Sequence, residues 1–285
     1  MRPEDIWHIE PKYRESFDKR TRAGVIEAAR SKLAIVAIAR TAMPYLKNTL
    51  TLVDELSGRF RKAVMYVYEN DSADNTAEVL DDFAIRQWVT VEHATLDRED
   101  YRGFEPERTV RLAEYRNRCR DWVEANAPDA DYVCVLDVDP QGGFSVDGVC
   151  NSIGWLLEKS EQACGTRHPG GMASYSLFLR KDESGVLAMA QYDSWAARLN
   201  WWEDRKNPQW FHLLLPPPAS PPIRFNSVFG GLAVYTREAY LAGRYSGTGV
   251  DGTPDCEHVA YHHELSKAGY QMFLNPGSRY IAILP

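Results

Sequence analysis

Two acidic clusters, each closing an apolar run, constrain this chain more than any other feature. One is Tyr66-Val67-Tyr68 followed by Glu69-Asn70-Asp71-Ser72-Ala73-Asp74-Asn75-Thr76. The other is Tyr132-Val133-Cys134-Val135-Leu136 followed by Asp137-Val138-Asp139. Both runs have the length of a strand, about 5–6 residues, and both end in carboxylates. In an open α/β sheet, ligands bind in the crevice beyond the carboxyl ends of the strands. Two acidic strand ends on one sheet therefore predict one polar site.

The surrounding pattern predicts that sheet. Residues 33–39 are continuously apolar, as expected of a strand covered on both faces. Leu46, Leu50, Val53 and Leu56 then share one helical face, with Gly58 as the stop. A strand at 63–68 follows, then a helix through Val79, Leu80 and Phe83 that Ser72 or Asp74 can cap. Residues 88–91 form a third strand. This β-α-β-α-β alternation implies a parallel, Rossmann-like sheet. Next come a charged loop at 97–106, an arginine-rich helix at 108–125 that ends before Pro128, and a strand at 132–136.

The second half reads as less regular. Strands at 172–179 and 186–191 flank a turn at Asp182-Glu183-Ser184-Gly185. A long loop at 195–225 holds Trp195, Trp201, Trp202, Trp210 and six prolines, and such loops in compact domains are usually functional or disordered; its tryptophans argue against disorder. A strand at 228–235, entered through Gly230-Gly231, and a helix at 257–268 complete the chain. The expected class is α/β: a mostly parallel central sheet flanked by helices, with an irregular lobe. Residues 1–31 read as a charged, partly helical lead-in and 32–285 as a single domain whose halves meet near residue 140.

At 285 residues the chain can bury a large core. A formal net charge of -7 argues against a general nucleic-acid binder, which would show a basic face. Cys119, Cys134, Cys150, Cys164 and Cys256 form no CxxC pair, so neither a structural zinc site nor a disulfide framework is indicated. A reducing compartment suits them. Residues 1–30 lack the apolar core of a signal peptide, and residues 33–39 are too short to span a bilayer. A cytoplasmic protein is expected, with any membrane attachment peripheral or through a partner.

Asp137 and Asp139 can turn from the strand end toward one ion. Hard divalent cations take oxygen ligands and bridge substrate phosphates, and would neutralise a diphosphate leaving group. Glu69 or Asp71 can accept from a base or ribose while Asp74 caps a helix. Arg108 and Arg111 are three apart, and Arg116 and Arg120 four apart, so each pair can share a helix face suited to a diphosphate. Arg118 and Arg120 read equally well as a solvated face. His258 and His262 share a face of the 257–268 helix as candidate metal ligands, and Glu257 is a candidate general base. The stretch is not H-E-x-x-H, so no zincin is implied. Its plain alternative is a polar helix start capped by Asp255. Any single tryptophan of the 195–225 loop is more simply a packing residue than a sugar-stacking one.

Taken in order, the Glu-Asn-Asp-Ser-x-Asp-Asn-Thr stretch, the arginine helix, Asp137-x-Asp139, Gly230-Gly231 and Cys256-Glu257-His258 resemble a GT-A glycosyltransferase. With Tyr192-Asp193-Ser194-Trp195-Ala196-Ala197-Arg198, the chain over residues 32–275 more narrowly resembles the fungal capsule-associated α-1,3-mannosyltransferase family. The resemblance implies a nucleoside diphosphate sugar donor (GDP- or UDP-linked), a hydroxyl acceptor on a glycan, and Mn²⁺ or Mg²⁺. Residues 32–140 would bind the donor and 141–285 the acceptor. By the same resemblance Glu69 and Asp71 would contact the nucleotide; Arg111 is a donor-site candidate from the arginine face alone. Arg116-Asn117 would sit near the donor, and Asp137 and Asp139 would hold the metal. Gly230-Gly231 would let backbone approach donor or acceptor, and Glu257 would match the acceptor-side base. The chain departs from the pattern where His258 replaces an Asp and where no histidine follows His263. Glu257 as base implies inversion, whereas the mannosyltransferase resemblance implies retention. Three rivals remain: a nucleotidyltransferase, disfavoured because residues 33–43 contain no glycine; an inert glycan- or nucleotide-binding module; and sugar transfer onto modified nucleobases in DNA.

Overall fold

The computed structural model describes residues 1–96, 105–163, 165–181, 187–201 and 209–284. Cys164, most of the 97–106 loop, the 182–185 turn, Trp202 and the side chain of Trp210 lie outside them. The elements are α1 (Arg14–Ala28), β1 (Lys32–Ala39), α2 (Leu46–Ser57), β2 (Lys62–Asn70), α3 (Thr76–Ala84), β3 (Val89–Ala94), α4 (Pro106–Asn126), β4 (Tyr132–Asp137), α5 (Val146–Glu161), β5 (His168–Lys181), β6 (Leu187–Gln191), α6 (Gln209–His212), β7 (Ile223–Phe225), β8 (Leu232–Thr236), α7 (Arg237–Leu241), α8 (Glu257–Lys267) and β9 (Tyr270–Ile283).

Among the described residues the strands form one nine-stranded sheet in the order β3-β2-β1-β4-β8-β5-β9-β7, with β6 paired to β5. β3, β2, β1 and β4 run parallel, as the alternating first half implies. β8 runs antiparallel between β4 and β5, and β5 and β9 are parallel to each other. The less regular second half thus extends the same sheet.

Alternation along the strands divides the core. Leu33, Ile35 and Ala37 face a layer with Leu50 and Val53 of α2, Leu80 of α3, and Val149 and Ile153 of α5. Ala34, Val36, Val133 and Val135 face the other layer, with Cys119 and Val123 of α4 and Tyr261 and Leu265 of α8. Successive side chains of a strand point to opposite faces, so a run covered on both sides must be apolar throughout. Each fully buried leucine or valine here contributes on the order of 1.5–3 kcal/mol. The charged lead-in is not detached from this core: α1 packs on α5, and Gly24 leaves no room for a Cβ against the Cys150 carbonyl.

The short α6, β7 and α7 and two long elements, α5 and β9, were not legible in the sequence; α6 and β7 lie in the stretch expected to be a loop. α5 carries Gly148 and Gly154, which lower helix propensity. Its start is nevertheless fixed by Ser145, whose Oγ accepts from the Gly148 N–H at 2.9 Å. β9 contains Asn275-Pro276-Gly277, which reads as a turn. In the structure Ser174 pairs with Asn275 and Tyr175 with Arg279, so residues 276–278 bulge out of one continuous strand.

Candidate active site

A cavity of about 580 Å³ opens beyond the carboxyl ends of β1, β2 and β4. Its walls are the β1–α2 loop, Asn70, the Asp137–Asp139 turn, one face of α4, the segment after β6 and the start of α8. The α4 face consists of Arg108, Arg111, Leu112, Tyr115 and Arg116, spaced three and four apart as one helical stripe requires.

Arg116 ties the floor together. Its Nε donates to Glu257 Oε1 at 2.9 Å and its Nη2 to Asp137 Oδ1 at 3.1 Å. Burial alone would depress the guanidinium, but Asp137 and Glu257 outweigh that and hold its pKa well above the usual value. Burial raises the Asp137 carboxyl to about 6; Arg116 opposes the rise and Asp139 adds to it. Asp139 opens to the cavity, yet the concave wall strips enough water to raise its carboxyl as well. Asp193, left-handed at φ 55°, is raised to about 8 by burial and then by the charges of Asp137 and Glu257. The floor therefore gathers four carboxyl groups around one buried arginine.

His258 stacks on Phe229 with ring centroids 3.9 Å apart. Both its nitrogens are buried without a hydrogen-bond partner among the described residues, and Nε2 stands 3.6 Å from Glu257 Oε1. Burial, then Arg116, keeps the imidazole neutral by lowering its pKa well below the usual value. Among the described residues no three His, Cys, Asp or Glu side chains are arranged to hold a metal ion. The donor chemistry nevertheless fits a hard divalent cation completed by ligands from outside the chain: Asp137 and Asp139 offer carboxylate oxygens, and a neutral, unpartnered imidazole lines the same space.

Several sequence-predicted residues lie elsewhere. His262 is corrected as a metal ligand. Its Nδ1 is 2.9 Å from Ser227 Oγ and its Nε2 2.9 Å from the Tyr235 hydroxyl. Because the Ser227 hydroxyl donates to the Ala196 carbonyl, His262 Nδ1–H must donate to Ser227 and Nε2 accept from Tyr235. Burial lowers its pKa to about 3. Asn117 points away from the cavity and holds both the N–H and the carbonyl of Tyr245. Arg120 is no solvated residue: it is buried and donates to the Leu241 and Gly243 carbonyls.

Glu69 and Asp71 shape the rim rather than line the cavity; Asn70 between them lines it. Glu69 accepts from the Ser72 N–H and contacts His93 Nδ1 at 2.7 Å. Asp71 accepts from the Leu96 N–H at 2.8 Å. The rest of that motif fastens the β1–α2 loop. Ser72 Oγ accepts from Thr41 N–H, Thr76 Oγ1 from Ala42 N–H, and Asp74 Oδ2 from Met43 N–H. Asp74 also accepts from Thr76 N–H at the start of α3.

Gly230 and Gly231 do not line the cavity either. Gly231, at φ +73°, accepts from the Asp137 N–H at 2.7 Å, and a Cβ there would fall inside the Tyr280 ring. The pair lets β8 and Tyr280 approach the Asp137 strand end. Trp195 does line the cavity, whereas Trp201 packs edge-on against His263.

Sequence reasoning gave Asp193 no role, although its motif is conspicuous. The residues after it are held by Arg198, 1% exposed, which donates to the Trp195 and Ala197 carbonyls and to Asp255 Oδ1 at 2.8 Å. Asp255 Oδ1 also accepts from the Cys256 N–H. One buried ion pair thus locks the Asp193 segment to the start of α8, where Glu257 and His258 begin.

No family model matches the chain, and no curated protein matches it in sequence. Among solved structures it is similar to a crystal structure of GalNAc-T7 with UDP, GalNAc and Mn²⁺ (TM-score 0.53, 12% identity, covering 98% of this chain and 53% of that one). It is also similar to S. aureus TarS 1–349 (TM-score 0.51, 10% identity, 88% of this chain and 60% of that one). The chain spans between a half and two thirds of the length of these proteins. At such identities the likeness speaks to architecture: the sheet and its flanking helices have the GT-A fold of glycosyltransferases.

Proposed function

We propose that the protein is a metal-dependent glycosyltransferase that moves a hexose from a nucleoside diphosphate sugar to a hydroxyl acceptor. The observation that carries this reading is the meeting of Asp137 and Asp139 with the arginine face of α4 in one cavity at the strand ends. Neither feature alone is specific. Together they place carboxylate oxygens for a cation beside guanidinium forks for phosphate oxygens.

Asp137 and Asp139 would hold Mn²⁺ or Mg²⁺, which supplies charge neutralisation for the departing diphosphate. Arg108 and Arg111, on the cavity wall, suit the same diphosphate as bidentate donors. Arg116, pinned between Glu257 and Asp137, fixes the floor and offsets part of its negative charge. Asn70 and the fastened β1–α2 loop form a wall for the base. Trp195 offers an aromatic face to a sugar ring. The likeness to a GalNAc-T7 structure containing UDP, GalNAc and Mn²⁺ supports the same direction. Mannose as the sugar, a GDP- or UDP-linked donor, a role in glycan or polysaccharide assembly and a cytoplasmic setting are the finer parts of this proposal, and they rest on the motif resemblance and composition. The described residues include no helix long and apolar enough to cross a membrane.

The test is thermal stabilisation by UDP, GDP, CMP and their sugar conjugates, with and without Mn²⁺. A ligand at 100 times its dissociation constant stabilises the native state by about 2.7 kcal/mol. A shift with one nucleotide that requires the metal supports the proposal. No shift with any conjugate, together with no release of nucleotide, refutes it.

A further inference from the structure

We propose that Asp193 is the general base for the acceptor hydroxyl, and that Glu257 is a positioning residue that holds Arg116. This inference rests on the glycosyltransferase reading and moves to Asp193 the base role that the sequence assigns to Glu257.

Glu257 is badly placed to take a proton from a substrate. It is 3% exposed, its Oε1 accepts from Arg116 Nε at 2.9 Å, and its Oε2 faces Cys256 Sγ at 3.7 Å. Its geometry serves Arg116: with Asp137 it fixes the guanidinium from two sides.

Asp193 has the complementary placement. It lines the cavity, is partly open to it, and makes no ion pair with a cation among the described residues. Its backbone is left-handed, φ 55° and ψ 47°, a region that aspartate enters more readily than most residues. The residues that follow are anchored by Arg198, whose buried guanidinium donates to the Trp195 and Ala197 carbonyls and to the Asp255 carboxylate. Trp195, two residues on, lines the same cavity.

The step balances as a single displacement. The acceptor oxygen forms a bond to C1 of the donor sugar while its proton passes to an Asp193 oxygen. The C1–oxygen bond to the diphosphate breaks, and its electron pair leaves with the nucleoside diphosphate. The configuration at C1 inverts.

The experiment measures nucleoside diphosphate release and glycoside formation from UDP-glucose, UDP-N-acetylglucosamine and GDP-mannose with Mn²⁺, using water and methyl glycosides as acceptors. Asp193→Asn keeps a side chain that tolerates the left-handed region. We expect it to lower the rate by about 10²–10⁴-fold with donor affinity within threefold of wild type. Glu257→Gln is expected to weaken donor binding while leaving the single-turnover rate at saturating donor within tenfold. An active wild type with Asp193→Asn within tenfold of it, or a product that retains the donor's configuration, overturns the base assignment and leaves the transferase standing. A wild type that neither binds nor cleaves any donor removes the transferase reading, and this one with it.

Discussion

Replacing Arg116 with glutamine should expose how much of the site depends on one cation. Arg116 is 6% exposed and donates to both Glu257 and Asp137. Removing it leaves two carboxylates at the floor beside Asp139 and Asp193. Losing one partner of a buried ion pair costs about 3–5 kcal/mol. Asp137 opens partly to the cavity, with 31% of its side chain exposed, so we place the loss near about 3 kcal/mol, or a fall in Tm of roughly 6–12 °C. The pH dependence follows from the sign of the shift. The Asp137 carboxyl is already raised to about 6 with Arg116 opposing the rise; without Arg116 it rises further. The folded state then keeps a proton that the unfolded chain releases above about pH 3.9. Stability therefore falls as pH rises through that window, and the gap between variant and wild type is widest near pH 8 and narrows toward pH 5. Denaturant unfolding in the presence of chelator at both pH values measures it. A loss below 1 kcal/mol, or an equal loss at pH 5 and pH 8, would refute the assignment of Arg116 as the charge that holds the floor.

His262→Asn should make the protein less acid-sensitive relative to its own neutral-pH stability. The folded pKa of His262 is depressed to about 3, so its contribution is present above the unfolded value near 6.5 and is lost as pH falls from there, by about 1.4 kcal/mol per pH unit; unchanged slopes of stability against pH between 6.5 and 4.5 would count against this. Asp255→Asn strands the buried Arg198 guanidinium and should cost about 3–5 kcal/mol while also lowering turnover, since both the Asp193 segment and the start of α8 lose their anchor; a variant with wild-type Tm and rate would contradict the clamp. Asp139→Ala should abolish metal-dependent turnover with Tm unchanged or slightly raised, because a carboxyl disfavoured by burial is removed; near-normal turnover refutes its metal role.

The β-α-β-α-β half and the acidic strand ends were legible because each is written in local spacing. An uninterrupted apolar run, a three-and-four arginine stripe and an Asp-x-Asp at a strand end keep their meaning without knowledge of the rest of the chain. What could not be read was set by distance and depth. His258 and His262 share a helix face, but spacing does not say that one reaches the cavity while the other sits a turn deeper between Ser227 and Tyr235. Glu69 and Asp71 carry the right chemistry for a nucleotide, yet the backbone N–H groups of Ser72 and Leu96 reach those carboxylates. Only Asn70 of that triplet is left on the cavity wall.

Asp193 shows why the loop-built wall of the cavity was harder to read than the strand-end wall. Its place depends on Arg198 and Asp255, which are 57 residues apart in sequence and 2.8 Å apart in space. Neither residue looks catalytic, and in sequence Asp255 reads as a helix cap. The strand-end wall of the cavity is aligned by one parallel sheet, so its residues lie where the fold alone puts them. The wall at Asp193 is built from a loop, and Arg198 and Asp255 anchor the residues that follow it. That makes the Arg198–Asp255 pair part of the site's frame, since its charged groups bond Trp195 and Cys256, which both line the cavity. It also explains why Asp193, flanked by residues of no periodicity, could be noticed as a motif before it could be given a function.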